Sequence, residues 1–276
     1  MRIVVDSPAL YTPEEGQRLG ITVVPSCTLM GGKAYKDYVD ITTQEILDKI
    51  EAGETPTTSQ PSIADVLEAY ESCEEEVLAL PLGDGLSGTY QNMEAAKHLL
   101  DEDKQIHVMD TKTLAGPQWY LVQKAMKLRD EGINIESIKN ALQKCIETSV
   151  SFVIPQDFNF LKRSGRLTPV AAKIGTLLKI VPILTQTQDK RRITLFSIKR
   201  TVKRAVAALI DHFKDLGVNE KYLITISHGG VKEKAMEVLE QFKETFASSV
   251  FELFTLPPSL ITHGGPGCIV IQTIMM

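Results

Sequence analysis

Long apolar runs are missing from this 276-residue chain: no stretch approaches eighteen uninterrupted apolar residues, so a membrane-spanning helix is not expected. The opening Met1-Arg2-Ile3-Val4-Val5-Asp6 meets an acid too soon for a signal peptide. The four cysteines (Cys27, Cys73, Cys145 and Cys268) form no Cys-x-x-Cys pair and no metal-ligand cluster. Three of them fall in apolar periodic segments, where a buried thiol is the ordinary outcome, and a reducing, cytoplasmic compartment is expected. No Gly-Lys-Ser/Thr closes a P-loop, and no internal repeat, low-complexity linker or disordered tail is evident. The remaining composition, 43% hydrophobic and 24% charged, is that of a soluble globular protein. The length suits two domains or one large α/β domain.

The formal net charge of −5 is unevenly spread. Between Lys162 and Arg204, twelve Lys and Arg face a single acid, Asp189. Such a block favours an anionic partner: nucleic acid, a phosphate-bearing substrate or an acidic protein face. The alternative is a solvated basic surface.

The first half alternates strand-like and helix-like pieces. β-rich runs at Arg2–Val5, Ile21–Val24, Val77–Leu80 and Ile106–Met109 are interleaved with helical patterns. The helices run to about Ala52, then over Ile63–Cys73, Gly88–Leu100, Leu114–Glu131 and Ile135–Glu147. Thr42-Thr43-Gln44-Glu45 and Ser62-Ile63-Ala64-Asp65 read as capping boxes for two of them. Short apolar strands between helices predict a parallel sheet covered on both faces. Gly31-Gly32 predicts a hairpin inserted between Cys27–Met30 and Lys33–Tyr35.

Past Glu147 the pattern changes. Ile180–Thr187 and Arg192–Ile198 are close enough to form an antiparallel hairpin. Val202, Ala205, Val206, Leu209, Ile210 and Phe213 then mark one helix face. Strands at Tyr222–Ile226, Val250–Phe254 and Cys268–Thr273, with a helix at Lys232–Thr245, predict a mixed sheet with helices on one side. The expected fold class is α/β. Residues 1–150 form a parallel-sheet N-terminal domain, and residues 151–276 a C-terminal α/β domain with a mixed, partly antiparallel sheet and a basic surface.

Four segments rich in glycine and hydroxyl groups stand at element ends: Thr57–Ser62, Gly83–Thr89, Ser164-Gly165-Arg166 and His263–Gly267. Hydroxyls and backbone N–H groups at helix starts form a neutral cradle for a carboxylate or phosphate. Thr58 and Ser59 precede the helix opened by Ser62, as turn and cap residues or as anion-facing hydroxyls. Gly83–Thr89 lies where open α/β sheets bind ligands, with Ser87 near the helix start. It is no nucleophile elbow, because Thr89 replaces the second glycine of G-x-S-x-G. His263, in a Gly/Pro-rich turn after Pro257-Pro258, would donate to a carboxylate and strengthen its binding when protonated. His228, Asp6-Ser7 and Asp110-Thr111 end strands as weaker candidates.

Together these segments resemble DegV family proteins. The resemblance rests on Asp6-Ser7, T-T-S-Q-P-S at 57–62, L-S-G-T-Y at 86–90, F-L-K-R-S-G-R at 160–166, L-L-K-I-V-P-I-L at 177–184, R-T-V-K-R-A at 200–205 and H-G-G-P-G at 263–267. Seven segments in one order span nearly the whole chain. Characterised members are bacterial fatty-acid-binding proteins of the FakB type, which hold one fatty acid in a buried tunnel. They present its carboxylate to a separate fatty acid kinase of the FakA type, as part of phospholipid synthesis.

The resemblance implies that Thr58 with Ser59, Ser87 with Gly88, and His263 with Gly264 contact the carboxylate. It implies that Arg166 and Arg200 contact the kinase. The ligand would be a long-chain acid such as palmitate, stearate or oleate, with no cofactor, no metal and no catalytic residue. The partners would be the kinase and, transiently, a membrane, but not nucleic acid. Leu177, Leu178, Ile180 and Ile183 are candidates for the tunnel lining, with plain core as the alternative for each. The departures are Ser164 for the first glycine of G-G-R, Val181 for a lysine before the proline, and Pro8 and Ala9 after Asp-Ser. The first two are expected to change local loop chemistry; the third concerns a peripheral part of the pattern.

Two other readings remain open. One is a Ser-dependent hydrolase using Ser87, His263 and Asp6 or Asp110. The other is a nucleic-acid binder exploiting residues 162–204, where Phe196 is the single aromatic and no recognised motif appears.

Overall fold

In the computed structural model, which describes residues 1–101, 103–173 and 180–276, the first apolar run is strand β1 (Arg2–Asp6). A helix not expected from the sequence follows, α1 (Pro13–Leu19). A reciprocal capping box between Thr12 and Glu15 sets it, and Gly20 in the left-handed region stops it. β2 (Ile21–Val24) pairs with β1 in parallel. Gly31 and Gly32, both at positive φ, turn β3 (Cys27–Met30) into β4 (Lys33–Lys36), the expected hairpin. α2 (Thr43–Glu51) opens on the complete box between Thr42 and Glu45.

Thr57-Thr58-Ser59 is neither turn nor cap. It is a strand, β5, on the other edge of β3, giving a three-stranded antiparallel sheet of order β4-β3-β5. The box expected at the start of α3 (Ile63–Glu71) forms by half. The Ser62 hydroxyl accepts from the Asp65 N–H, but the Asp65 carboxylate turns to Lys36 Nζ at 2.7 Å. β6 (Val77–Ala79), α4 (Thr89–Lys97) and β7 (Ile106–Val108) complete an all-parallel sheet of order β2-β1-β6-β7.

Two long helices come next, α5 (Ala115–Asp130) and α6 (Ile135–Thr148). β8 (Val150–Ile154) opens the second sheet, followed by the short helices α7 (Phe158–Arg163) and α8 (Pro169–Ala172). The antiparallel hairpin of β9 (Val181–Gln186) and β10 (Ile193–Lys199) leads into α9 (Val202–Asp215). β11 (Tyr222–His228), α10 (Lys232–Thr245), β12 (Val250–Thr255), α11 (Pro258–Gly264) and β13 (Ile269–Met275) follow. The strand order is β10-β9-β8-β13-β11-β12, antiparallel except between β11 and β12. Of the face expected on α9, Ala205, Val206, Leu209 and Phe213 are buried, whereas Val202 in the first turn is exposed. No helix among the described residues is long and apolar enough to cross a membrane.

The six-stranded sheet has helices on both faces, not on one. α9 and α10 cover the face that carries Ile224, Ile226, Ile269 and Ile271. The opposite face meets α5 and α6, where Leu223 and Ile274 join Leu121, Val122, Ile138 and Leu142. The same two helices pack on Ile3, Val5, Leu78 and Leu80 of the parallel sheet. Strand alternation makes this possible, because successive residues point to opposite faces.

The approach of α5 to β11 is tightest at Gly116, where an added Cβ would lie 2.0 Å from Thr225 Oγ1. The buried Gln272 amide satisfies the helix start: its Oε1 accepts from the Gly116 N–H, and its Nε2 donates to Leu114 O and Ser151 Oγ. Gly116→Val is therefore expected to destabilise the fold by about 3 kcal/mol or more through overpacking. The check is a lowered urea midpoint; a midpoint equal to that of the unsubstituted protein would show that α5 slides freely on β11.

Candidate functional site

Thr58, Ser59, Ser87, Arg166 and His263, from four separate segments, line one polar recess. Pairing of Thr28 with Thr58 across β3 and β5 aims the Thr58 hydroxyl, which lies 2.7 Å from His263 Nε2. Ser59 stands exposed at the rim and donates its hydroxyl to Gln60 O.

Ser87 ends a turn whose glycines are required by close approach. A Cβ on Gly83 would meet the Lys112–Thr113 backbone at 2.8 Å, and one on Gly85, at φ +84°, would lie 2.7 Å from Arg191 O. The turn hangs from two carboxylates: Asp6 accepts from the Leu82 N–H, and Asp110 from the Asp84 N–H. Ser87 Oγ accepts from the Thr89 N–H at 3.2 Å and lies 2.8 Å from Thr89 Oγ1, one residue ahead of Gly88, the N-cap of α4. Gly88 leaves room for the Gln60 amide, which an added Cβ would meet at 2.9 Å.

His263 sits in the last turn of α11, not in a turn after it. Gly264 and Gly265 beyond it are packed against Cys268 and Phe160. The other end of α11 is fixed by Asp37, a residue the sequence reading misses. The fully buried Asp37 carboxylate accepts from the Ser259 N–H at 3.2 Å, from Ser259 Oγ, and from Ser7 Oγ at 2.9 Å. Ser7 Oγ in turn accepts from the Ser26 N–H.

Arg166, expected from the resemblance to contact the kinase, is a wall of the recess. Its Nε donates to Leu86 O at 3.1 Å and its guanidinium also donates to Ser164 O. Ser164 adds a hydroxyl that accepts from the Arg166 N–H at 3.1 Å and donates to Leu161 O at 2.6 Å. The departure from glycine thus stiffens the loop that carries the arginine. Pro8, expected to be peripheral, also lines the recess, and Val181 lies in β9, not in a loop. Arg200 is elsewhere, exposed between β10 and α9.

Leu86, Leu260 and His263 form the boundary between this recess and an apolar cavity behind it. The cavity holds about 600 Å³ of empty space, open mouth included, and is lined by Leu114, Val153, Leu161, Leu184, Ile193, Leu256 and Val270, among others. Ile183 does not line it: it is packed with α9 on the opposite face of β9, whereas its neighbour Leu184 faces the cavity. Ile180 borders a separate groove beside α9 and α10. Leu177 and Leu178 lie outside the described residues.

Residues 1–275 match the model of the DegV family, described as that of an uncharacterised protein. The chain belongs to the DegV family. A DegV domain-containing protein of Staphylococcus aureus is 30% identical over 271 residues, covering 97% of this chain and 96% of that one. A fatty-acid-binding DegV family protein from Thermus thermophilus superposes with a TM-score of 0.89 at 28% identity, covering 100% of this chain and 99% of that one. A DegV family protein from Ruminococcus gnavus, refined with vaccenic acid, gives 0.88 at 25% identity and covers 98% of both chains.

In this DegV chain Arg166 is, among the described residues, the one cation that lines the recess. Burial, and then the neighbouring Arg166 charge, push the His263 imidazole down to about 3, so it acts as a neutral hydrogen-bonding group. The protonation on which a stronger grip on an anion would depend is therefore disfavoured, and the hydrogen-bonding role is the one left to His263. Burial also lowers the Arg166 pKa, and no acid among the described residues opposes it. Beneath the recess, burial raises Asp6 to about 6 and Asp37 to about 7, despite the hydrogen bonds that favour their ionised forms.

Unfolding returns His263 to about 6.5 and the two aspartates to about 3.8. Below pH 6.5 the unfolded chain binds the histidine proton first, so His263 withdraws stability as pH falls towards 3. Asp37 has the opposite slope: the folded state holds its proton longer, so stability is lost as pH rises from about 4 to 7. His263→Gln is expected to flatten the acid-side loss in a pH series of thermal midpoints. An unchanged acid limb would mean that the imidazole is protonated in the fold.

The alternative readings find little support in the geometry of this DegV chain. Ser87 is bonded to Thr89, and His263 to Thr58, so nucleophile and base are not joined. Asp6 and Asp110 serve the Gly83–Thr89 turn instead of the histidine. The basic block is not one open face either. Lys190 Nζ donates to Ile146 O and Ser149 O at the end of α6, Arg191 pairs with Asp84, and Arg163 lies over the Phe160 ring. Arg200, Lys203 and Arg204 remain exposed.

Proposed function

We propose that this DegV protein binds one long-chain fatty acid, with its tail in the apolar cavity and its carboxylate in the polar recess. We propose further that it presents the carboxylate to a partner fatty acid kinase for acyl-phosphate formation. One observation carries the reading: a half-buried guanidinium, with no acidic neighbour among the described residues, lines a recess with two hydroxyls and a neutral imidazole at the mouth of an apolar cavity. Relatives at 25–28% identity over nearly the whole chain, one a fatty-acid-binding DegV protein and the other refined with vaccenic acid, support it.

Burying about fourteen methylenes at roughly 0.8 kcal/mol each gives on the order of 11 kcal/mol of gross driving force. A carboxylate removed from water cancels much of that unless it is hydrogen-bonded and paired. Arg166 supplies the opposite charge; Thr58, Ser87 and His263 supply donors. In this reading, residues 1–150 bring the hydroxyl loops and residues 151–276 bring His263 and the basic surface. Ser59 at the exposed rim leaves a way in for a phosphoryl donor, and Arg200 with Lys203 and Arg204 offers an acidic partner a docking face.

Native mass spectrometry of the protein as purified is expected to show about one fatty acid per chain. Extraction without lipid, and no uptake of added palmitate or oleate, would overturn the reading. The double variant Ser87→Ala/His263→Ala should bind more weakly while remaining folded, each change removing about 1.5–3 kcal/mol. Unaltered affinity would remove both residues from the headgroup site.

A further inference from the structure

We infer that a row of polar side chains, Ser151, Gln186 and Gln272, forms the end-stop of the cavity, and that Gln186 sets the longest acyl chain the protein accepts. The inference rests on the proposed fatty-acid reading and follows from strand register. Val153 pairs with Leu184 on one side and Val270 on the other, placing three apolar residues in one row across β9, β8 and β13. All three line the cavity.

The next residues facing the same way lie two positions along each strand, about 6.8 Å further. On β8 and β13 they are Ser151 and Gln272, which pair with each other. On β9, continuation of the Phe152–Thr185 pairing brings Gln186 opposite Ser151. Each step leads away from the headgroup. β13 starts just after α11 and the Gly265–Gly267 turn, and moving from Val270 to Gln272 leaves His263 behind. β8 and β9, alternately antiparallel, follow the same direction from Val153 to Ser151 and from Leu184 to Gln186.

The polar atoms of this row are engaged within the protein. Gln272 Nε2 donates to Ser151 Oγ at 2.8 Å and to Leu114 O. Gln186 Nε2 donates to Lys112 O at 3.0 Å and to Lys190 O at 3.1 Å. The Gln186 side chain thereby spans from β9 to the carbonyl of Lys112, an exposed residue. A methyl terminus reaching this row meets amides that would lose their partners on yielding to it, and leaving such groups unpaired is costly. Of the three, Gln186 alone is half-exposed, so shortening it opens the cavity towards solvent instead of collapsing a core.

The test is competitive loading. The full-length protein, Gln186→Ala and Gln186→Asn are each incubated with an equimolar mixture of saturated straight-chain acids, and bound species are read by native mass spectrometry. Expected is a sharp upper length for the unsubstituted protein, a limit roughly two carbons longer for Gln186→Ala, and an intermediate limit for Gln186→Asn. The Asn variant retains the amide and provides the measurement if Gln186→Ala does not fold. Identical length distributions in all folded proteins would overturn the end-stop while leaving fatty acid binding intact. No acid bound by any of them would overturn the fatty-acid reading itself, and the end-stop with it.

Discussion

Arg166→Ala is expected to weaken fatty acid binding by roughly tenfold to a hundredfold, while Arg200→Ala leaves it unchanged. A hydrogen bond to a charged group contributes about 1.5–3 kcal/mol, and each 1.4 kcal/mol is a factor of ten. Arg166 faces the recess with two contacts to carbonyls, Leu86 O and Ser164 O, which orient its fork without neutralising it. Removing it leaves a bound carboxylate with neutral donors only. Arg166→Lys should fall between, because a point charge keeps the attraction but loses the planar fork. Arg200, outside the recess, should instead lower acyl-phosphate formation in a kinase titration at undiminished lipid affinity. Equal affinity of Arg166→Ala and the unsubstituted protein in a fatty acid displacement assay would remove the arginine from the headgroup site. The same equality for Arg200→Ala in the kinase assay would leave that residue a solvated surface charge.

Val270→Phe is expected to abolish lipid uptake while the protein still folds. Val270 is 8% exposed and faces the cavity from the central strand β13. The larger ring enters empty space, so the strain of overpacking, ordinarily 1–3 kcal/mol, should be at its low end. A tail denied about six methylenes forfeits on the order of 5 kcal/mol, more than a thousandfold in affinity. Native mass spectrometry should show bare protein with a thermal midpoint close to that of unliganded unsubstituted protein. Full occupancy in Val270→Phe would mean that the tail lies somewhere else.

Local signals carried most of the fold. Gly31-Gly32, the Thr42–Glu45 box and the apolar spacing of Ala205, Val206, Leu209 and Phe213 each act within a few residues, and each element formed where expected. What the sequence concealed is set by distance along the chain. Thr57–Ser59 becomes a strand only because β3 offers an edge, and a three-residue segment has no period of its own. Arg166 reaches the recess by bonding to Leu86, eighty residues away, so its membership of a basic block pointed towards the surface. Asp37 looked like any polar loop residue, because its partners lie 30 and 222 positions off. The helix under His263 was legible in principle: Pro258 at its first position is a start signal. The hydroxyl segments themselves were visible as segments, and the apolar cavity behind them was not, since lining and core share one composition.

The six-stranded sheet also constrains the order in which the molecule is made. β13 comes last among the described strands yet lies between β8 and β11, in the interior of its sheet. A ribosome that has delivered everything up to Gly267 therefore holds two incomplete half-sheets with facing unpaired edges. α5 still lacks Ile274 and the Gln272 amide at its start. Such edges invite pairing with the wrong strand. Neither half-sheet can offer a floor to an acyl chain, since Val270 has not yet arrived. On the proposed fatty-acid reading, ligand would be captured only once β13 is in place, and nascent chains halted before β13 should depend on chaperones far more than completed ones.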